Sequence, residues 1–253
     1  MKALLFLVSL LTTSSPAMSQ EVATASVNPL PSVKEASSGE SFPLQWTASK
    51  DIMHQLVSTG IRKKFIFKVY AFGLYLDQAE AQKILEKWRK ISPKKLATNE
   101  KFLASLLGGK IGMTVRWVMT RDVDAEDIAE AFADGLEPRL KELLKTPKGA
   151  SEEDQAVWAQ KRKNAAKDLQ TFRNFFPKEE MEEEAELVFS WIPGGIFRTT
   201  LNSVQKMDIK SPVLGKAFFD IYLGTDPIAR IGRESFLDAL GDFLKPAQKS
   251  HER

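Results

Sequence analysis

From Gly60 to Asp77 the chain is dense in aromatic and branched residues, contains no proline, and keeps its apolar positions close together. That pattern predicts one long strand, or two joined by a bend, running through the middle of a sheet. Ahead of it, Leu44 and Trp46, then Ile52, Leu56 and Val57, predict a short strand leading into the same stretch. After Asp77 a helix is expected, because Ile84, Leu85 and Trp88 share a face until Pro93 ends it. Residues 100–107 predict another short helix, closed by Gly108 and Gly109. Ile111, Met113, Val115, Trp117 and Met119 alternate with their neighbours and predict a strand with one face to the core.

Asp122 or Asp124 is placed to cap a helix on which Ile128, Phe132 and Leu136 recur every four residues, with acidic residues in the first turns. Pro138 either starts a second helical segment through Leu140, Leu143 and Leu144 or kinks the first. The strongly charged stretch from 146 to 167 is read as a solvated loop and helix start, before an apolar stripe of Leu169, Phe172, Phe175 and Phe176. The acidic run Glu179 to Glu184 lacks the glycine turn and ligand spacing of a calcium loop. Residues 185–210 predict an antiparallel meander with turns at Pro193-Gly194-Gly195 and Asn202-Ser203. Two helices follow, opened by Ser211-Pro212 and by Asp226-Pro227. Strands and helices cluster without a βαβ rhythm, so the fold class expected is α+β, an antiparallel sheet covered by helices.

Composition adds boundaries more than chemistry. At 253 residues and 43% hydrophobic content, the chain can bury a sizeable core. Met1 to Leu11 set one lysine before a short apolar run, with small residues Ala17 and Ser19 ahead of Gln20, so residues 1–19 are expected to be a secretory signal peptide and the protein secreted or periplasmic. Residues 20–41 are expected to form a linker, 42–245 the folded domain, and 246–253 a flexible tail. Net charge is +3, and +2 once Lys2 is set aside with the leader, too little to argue for nucleic acid or an anionic membrane surface. No stable membrane insertion is expected. Cysteine is absent, which excludes disulfides, thiolate metal sites and a cysteine nucleophile.

Of the two histidines, His251 lies in the tail, so a metal site, a Ser-His-Asp triad or a haem ligand would rest on His54 alone. No phosphate-binding loop, dinucleotide fingerprint or nucleophile elbow is present. No cofactor, metal or catalytic residue is assigned. The central stretch, however, carries Arg62, Lys63, Lys64 and Lys68 with two of the three tyrosines. On an unbroken strand Arg62, Lys64, Lys68 and Tyr70 would project to one side, and an arginine beside a phenol within hydrocarbon suits the head of an amphipathic carboxylate or phenolate. The alternative is cations solvating an edge beside core aromatics. Geometry sets a condition: eight residues of straight strand span roughly 26 Å at about 3.3 Å each, so Arg62 and Tyr70 act together only if the chain bends or bulges between them.

Gly60-Ile61-Arg62 followed by Phe67 to Asp77 resembles the signature strand region of the chalcone isomerase superfamily, in particular its bacterial chalcone isomerase-like and plant fatty-acid-binding members. Met113 to Phe132 and Ser211 to Pro227 resemble its middle strand and helix and its late helix and turn. The resemblance implies an open-faced antiparallel β-sheet layered with α-helices and a cleft between them, with Arg62 matching the cleft arginine and Tyr70 the tyrosine that helps hold a fatty-acid carboxylate. True isomerases have a further tyrosine just after the middle strand, where this chain has Arg121-Asp122-Val123-Asp124. The first expectation is therefore non-catalytic binding of a fatty acid or similar amphipathic anion. The alternative is an isomerase, an intramolecular lyase on an enone or phenolic substrate, with Arg62 as its electrophilic anchor.

Overall fold

The computed structural model describes residues 31–246; the expected leader at 1–19 lies outside them, as do residues 20–30 of the expected linker and 247–253 of the expected tail. Regular structure begins before the expected boundary at Phe42, with strands β1 (Ser32–Lys34) and β2 (Ser41–Pro43) paired antiparallel. Between them the Glu35 carboxylate accepts hydrogen bonds from the backbone N–H groups and hydroxyls of Ser37 and Ser38, which closes the connecting turn.

The short strand expected before Gly60 is two. β3 (Gln45–Ser49) turns back at Lys50-Asp51 into β4 (Ile52–Lys64), and the central stretch completes β4 and then forms β5 (Phe67–Leu76). Helix α1 (Gln78–Leu85) follows, N-capped by Asp77, whose carboxylate accepts from the Glu80 N–H. Two short helices, α2 (Pro93–Leu96) and α3 (Glu100–Leu106), lead to β6 (Met113–Met119) and the two-residue β7 (Val123–Asp124).

Helix α4 (Ala125–Leu143) runs through Pro138 as one element. Pro138 has no N–H to give the Asp134 carbonyl, but both residues are exposed, so water can satisfy the freed acceptor. The charged stretch opens as a loop and then starts a helix, as expected, but that helix, α5 (Glu152–Arg173), is long and takes in the apolar stripe up to Phe172. Its charges are the wetted face, while Ala165, Leu169 and Phe172 are buried at helical spacing. Then come β8 (Glu180–Met181), the meander β9 (Glu186–Ile192), β10 (Ile196–Leu201) and β11 (Gln205–Lys210), and helices α6 (Pro212–Leu223) and α7 (Arg230–Phe243).

The seven-stranded antiparallel sheet has the order β11-β10-β9-β6-β5-β4-β3. One face carries the main core, where Phe72, Trp117, Phe189 and Phe197 meet Phe132, Phe172 and Phe218 from α4, α5 and α6. Full burial of each such side chain is worth about 1.5–3 kcal/mol. Toward its other face the sheet curls, bringing β3 back to β10, where Arg198 Nη1 donates to the Ala48 carbonyl at 3.0 Å and Nε and Nη2 grip Asp208. α7 crosses β4 at Gly60 and Gly232. A Cβ on Gly60 would lie 2.6 Å from the Phe72 ring, and one on Gly232 2.4 Å from it, so both glycines make room for that aromatic.

His54 holds the curled side together and is fully buried. Its Nδ1 is 2.8 Å from the Thr114 hydroxyl, which lies 2.8 Å from the Ser190 hydroxyl. That location removes it as a ligand for haem or metal: its Nε2 is packed against Gly112, with no room for even a Cβ there. Burial pushes its pKa from 6.5 down to about 4, against the opposing pull of Asp77. The unfolded chain therefore binds a proton at His54 that the folded one refuses, and stability contributed above pH 6.5 is lost progressively as pH falls toward 4. The loss should approach about 3 kcal/mol. Denaturant unfolding of the wild type and His54→Gln across this range checks it: the variant should show a flatter pH dependence, and identical slopes would contradict the assignment.

Candidate functional site

The condition set by the central stretch is met by a hairpin. Lys64 pairs with Phe67, leaving Phe65 and Ile66 as a two-residue turn, and Arg62 comes directly opposite Tyr70 in the β4–β5 register. Cross-strand partners have Cβ atoms about 4.5–5.5 Å apart on the same face. The register shifts between Arg62 and Lys63, whose partner is Lys68, so Val69 is the extra residue of a bulge. This bulge separates two residues that an unbroken strand would keep together. Val69 and Tyr70 both line the cavity, whereas the Lys68 ammonium donates to the Ser37 carbonyl. Of the four polar residues expected on one side, Arg62, Lys64 and Tyr70 line the cavity; Lys68 does not.

Tyr70 is held from two sides. Its ring stacks on Trp117, with centroids 3.7 Å apart and planes 13° from parallel, and its hydroxyl lies 3.0 Å from that of Tyr222. Burial pushes both phenols well above their ordinary pKa; the Arg62 charge opposes part of this in each. Both stay neutral donors at physiological pH. The Trp117 indole N–H lies near the Tyr222 hydroxyl, further favouring its charged form, without reaching hydrogen-bond geometry. Two hydroxyls sharing one hydrogen bond leave one O–H proton over. If Tyr222 donates, that proton belongs to Tyr70, which faces the cavity.

Arg62 is half-buried, and Nη1 donates to the Lys63 carbonyl at 2.7 Å. Its other N–H groups have no protein acceptor among the described residues. The cavity beside it measures about 450 Å³, with walls from Val69, Trp117, Ile128, Phe132, Ile221 and Ile228. That is within the range of small-molecule sites, about 300–1,000 Å³. Lys64 and Arg121 add positive charge, while Asp122, Asp124, Asp127 and Glu180 line other parts of the wall. Two of these carboxylates are engaged: Asp122 accepts from the Glu183 N–H and Asp124 from the Glu126 N–H.

A profile described as chalcone isomerase-like matches residues 36–237. The chain belongs to the chalcone isomerase-like family. Among its relatives, fatty-acid-binding protein 1 of Arabidopsis thaliana is 26% identical over 215 residues, covering 82% of this chain and 70% of the relative. Chalcone isomerase-like protein 1 of Humulus lupulus is 26% identical over 195 residues, covering 75% and 81%. The crystal structure of an Arabidopsis thaliana fatty-acid binding protein superposes with a TM-score of 0.63 at 25% identity, over 85% of this chain and 99% of that one. The expected sheet layered with helices is thus the architecture of a solved relative.

Tyr222, on α6, joins this chalcone isomerase-like site although it was not among the residues expected there. Its signal was available, since a buried tyrosine hydroxyl needs a partner and the chain has only three tyrosines. The pair makes a distinct thermodynamic prediction. Tyr70→Phe and Tyr222→Phe should each destabilise by about 1–3 kcal/mol by stranding a buried hydroxyl. The double variant should cost less than the sum, and additive losses in denaturant unfolding would show that the hydroxyls do not depend on each other.

Proposed function

We propose that this protein binds a fatty acid or similar amphipathic anion without chemical turnover, its carboxylate between Arg62 and Tyr70 and its alkyl chain in the adjoining cavity. The observation that carries this reading is the cross-strand pairing of an arginine with free N–H groups and a buried neutral phenol at an apolar cavity. The guanidinium supplies a two-pronged charge-assisted grip and the phenol one further donor. Trp117, Ile128, Phe132, Ile221 and Ile228 offer the tail an apolar wall. Relatives named as fatty-acid-binding proteins support the same reading. The leader read at residues 1–19 adds that binding takes place in the periplasm or outside the cell; a mature N-terminus at Gln20 checks this, and a retained Met1 contradicts it.

Calorimetric titration with laurate tests the assignment. Replacing Arg62 by alanine removes charge-assisted hydrogen bonds worth about 1.5–3 kcal/mol, so affinity should fall by about 10- to 100-fold. Each methylene added to a shorter acid should tighten binding by about fourfold until the cavity is full, from about 0.8 kcal/mol per buried CH₂. Equal affinity for wild type and Arg62→Ala, or indifference to chain length, would end the proposal.

A further inference from the structure

The tip of the β4–β5 hairpin is built against the usual rules for a soluble surface. Phe65, Ile66 and Phe67 are 91%, 84% and 54% exposed, three consecutive large apolar side chains that stay open to solvent. Isolated exposed apolar residues need no explanation, whereas a contiguous group at a projecting turn does. The backbone adds a second oddity. Phe65 has a φ of 57°, the left-handed region that favours glycine, at the first position of a two-residue hairpin turn where glycine is the usual occupant. A bulky aromatic there strains the turn, and folding alone gives no reason to keep it.

Along the tip segment itself the charge is of one sign. Lys63 and Lys64 precede them, Lys68 follows, and the Arg121 guanidinium sits over the Phe67 ring, 5.2 Å from its centroid. The carboxylates of the cavity lie on the segment after β6, on α4 and on β8; the tip itself carries none. Apolar side chains flanked by long cationic ones match a bilayer interface: the rings and the isoleucine enter the boundary of the acyl chains, while Lys63 and Lys64 reach the phosphates.

We infer that the Lys63–Lys68 hairpin tip docks the protein peripherally on an anionic phospholipid bilayer. Lys64, Phe65 and Phe67 also line the cavity, so a membrane seated on the tip lies at the cavity mouth. An acid leaving the bilayer would meet Arg62 and Tyr70 at the foot of the same hairpin. That consequence rests on the fatty-acid reading; docking itself does not. The net charge of +3 conceals this surface because it averages the tip with the acidic segments elsewhere.

Co-sedimentation of the mature chain with phosphatidylcholine vesicles, with and without phosphatidylglycerol, tests the inference. Binding is expected with phosphatidylglycerol, weaker by about tenfold or more without it, and reduced by salt as the Debye length shrinks. The double variant Ile66→Asp with Lys63→Glu touches neither cavity lining nor core; it should lose vesicle binding by at least about tenfold while keeping wild-type laurate affinity in solution. Phe65→Gly should also lose binding, with thermal stability unchanged or raised because the strained φ is relieved. Wild-type protein left in the supernatant with phosphatidylglycerol vesicles, or a double variant that sediments as well as wild type, overturns docking. So does tip-dependent self-association in ultracentrifugation without vesicle binding, which would make the tip a protein interface. Wild-type protein that binds laurate but no vesicles sinks this inference alone; wild-type protein that docks but binds no laurate sinks the carrier reading alone.

Discussion

A two-residue turn places Arg62 across from Tyr70, and the cavity takes its chemistry from that register. Side chains on a strand alternate between faces, so a slip of one residue would send the guanidinium and the phenol to opposite sides of the sheet. The bulge at Val69 makes the required correction, turning Lys68 to Ser37 while Tyr70 stays over the cavity. The surroundings lock the result. Trp117 on β6 stacks on the phenol, Tyr222 on α6 bonds its hydroxyl, and the glycines that let α7 approach β4 leave space for Phe72 next to it.

Much of this fold is legible in the chain. Alternation marks β6 and four-residue spacing marks α4, because each pattern reports burial on one face, and the turns at Pro193-Gly194-Gly195 and Asn202-Ser203 mark the meander. The central stretch is harder. Its turn is Phe65-Ile66, with neither glycine, asparagine nor proline to announce it, so hydrophobic pattern alone leaves one strand and two strands equally open. The length of helix α5 is hidden for the opposite reason, since it buries so few residues that its charged face dominates the text. At the site, Arg62 and Tyr70 can be chosen from residue type, but their meeting depends on register, which is a property of the pair of strands. Tyr222 comes from 152 residues away and is brought in by tertiary packing.

The polar groups divide into two sets on opposite faces of the sheet. His54 Nδ1, Thr114 and Ser190 form a buried hydrogen-bonded series on the curled side, where they tie strands together. Arg62 and Tyr70 remain open, with donors left over, at a cavity that joins cations to an aromatic wall. Donors without protein acceptors beside hydrocarbon favour an anion with an apolar tail. The same hairpin that holds them projects the most exposed phenylalanine among the described residues, so recognition of the head group and access to the cavity depend on one element.

A crystal structure of the protein with laurate bound tests this account most directly. It predicts the carboxylate within hydrogen-bond distance of both the Arg62 guanidinium and the Tyr70 hydroxyl, with the alkyl chain along Trp117, Phe132 and Ile221. A carboxylate held elsewhere, or an alkyl chain lying outside that cavity, would contradict it.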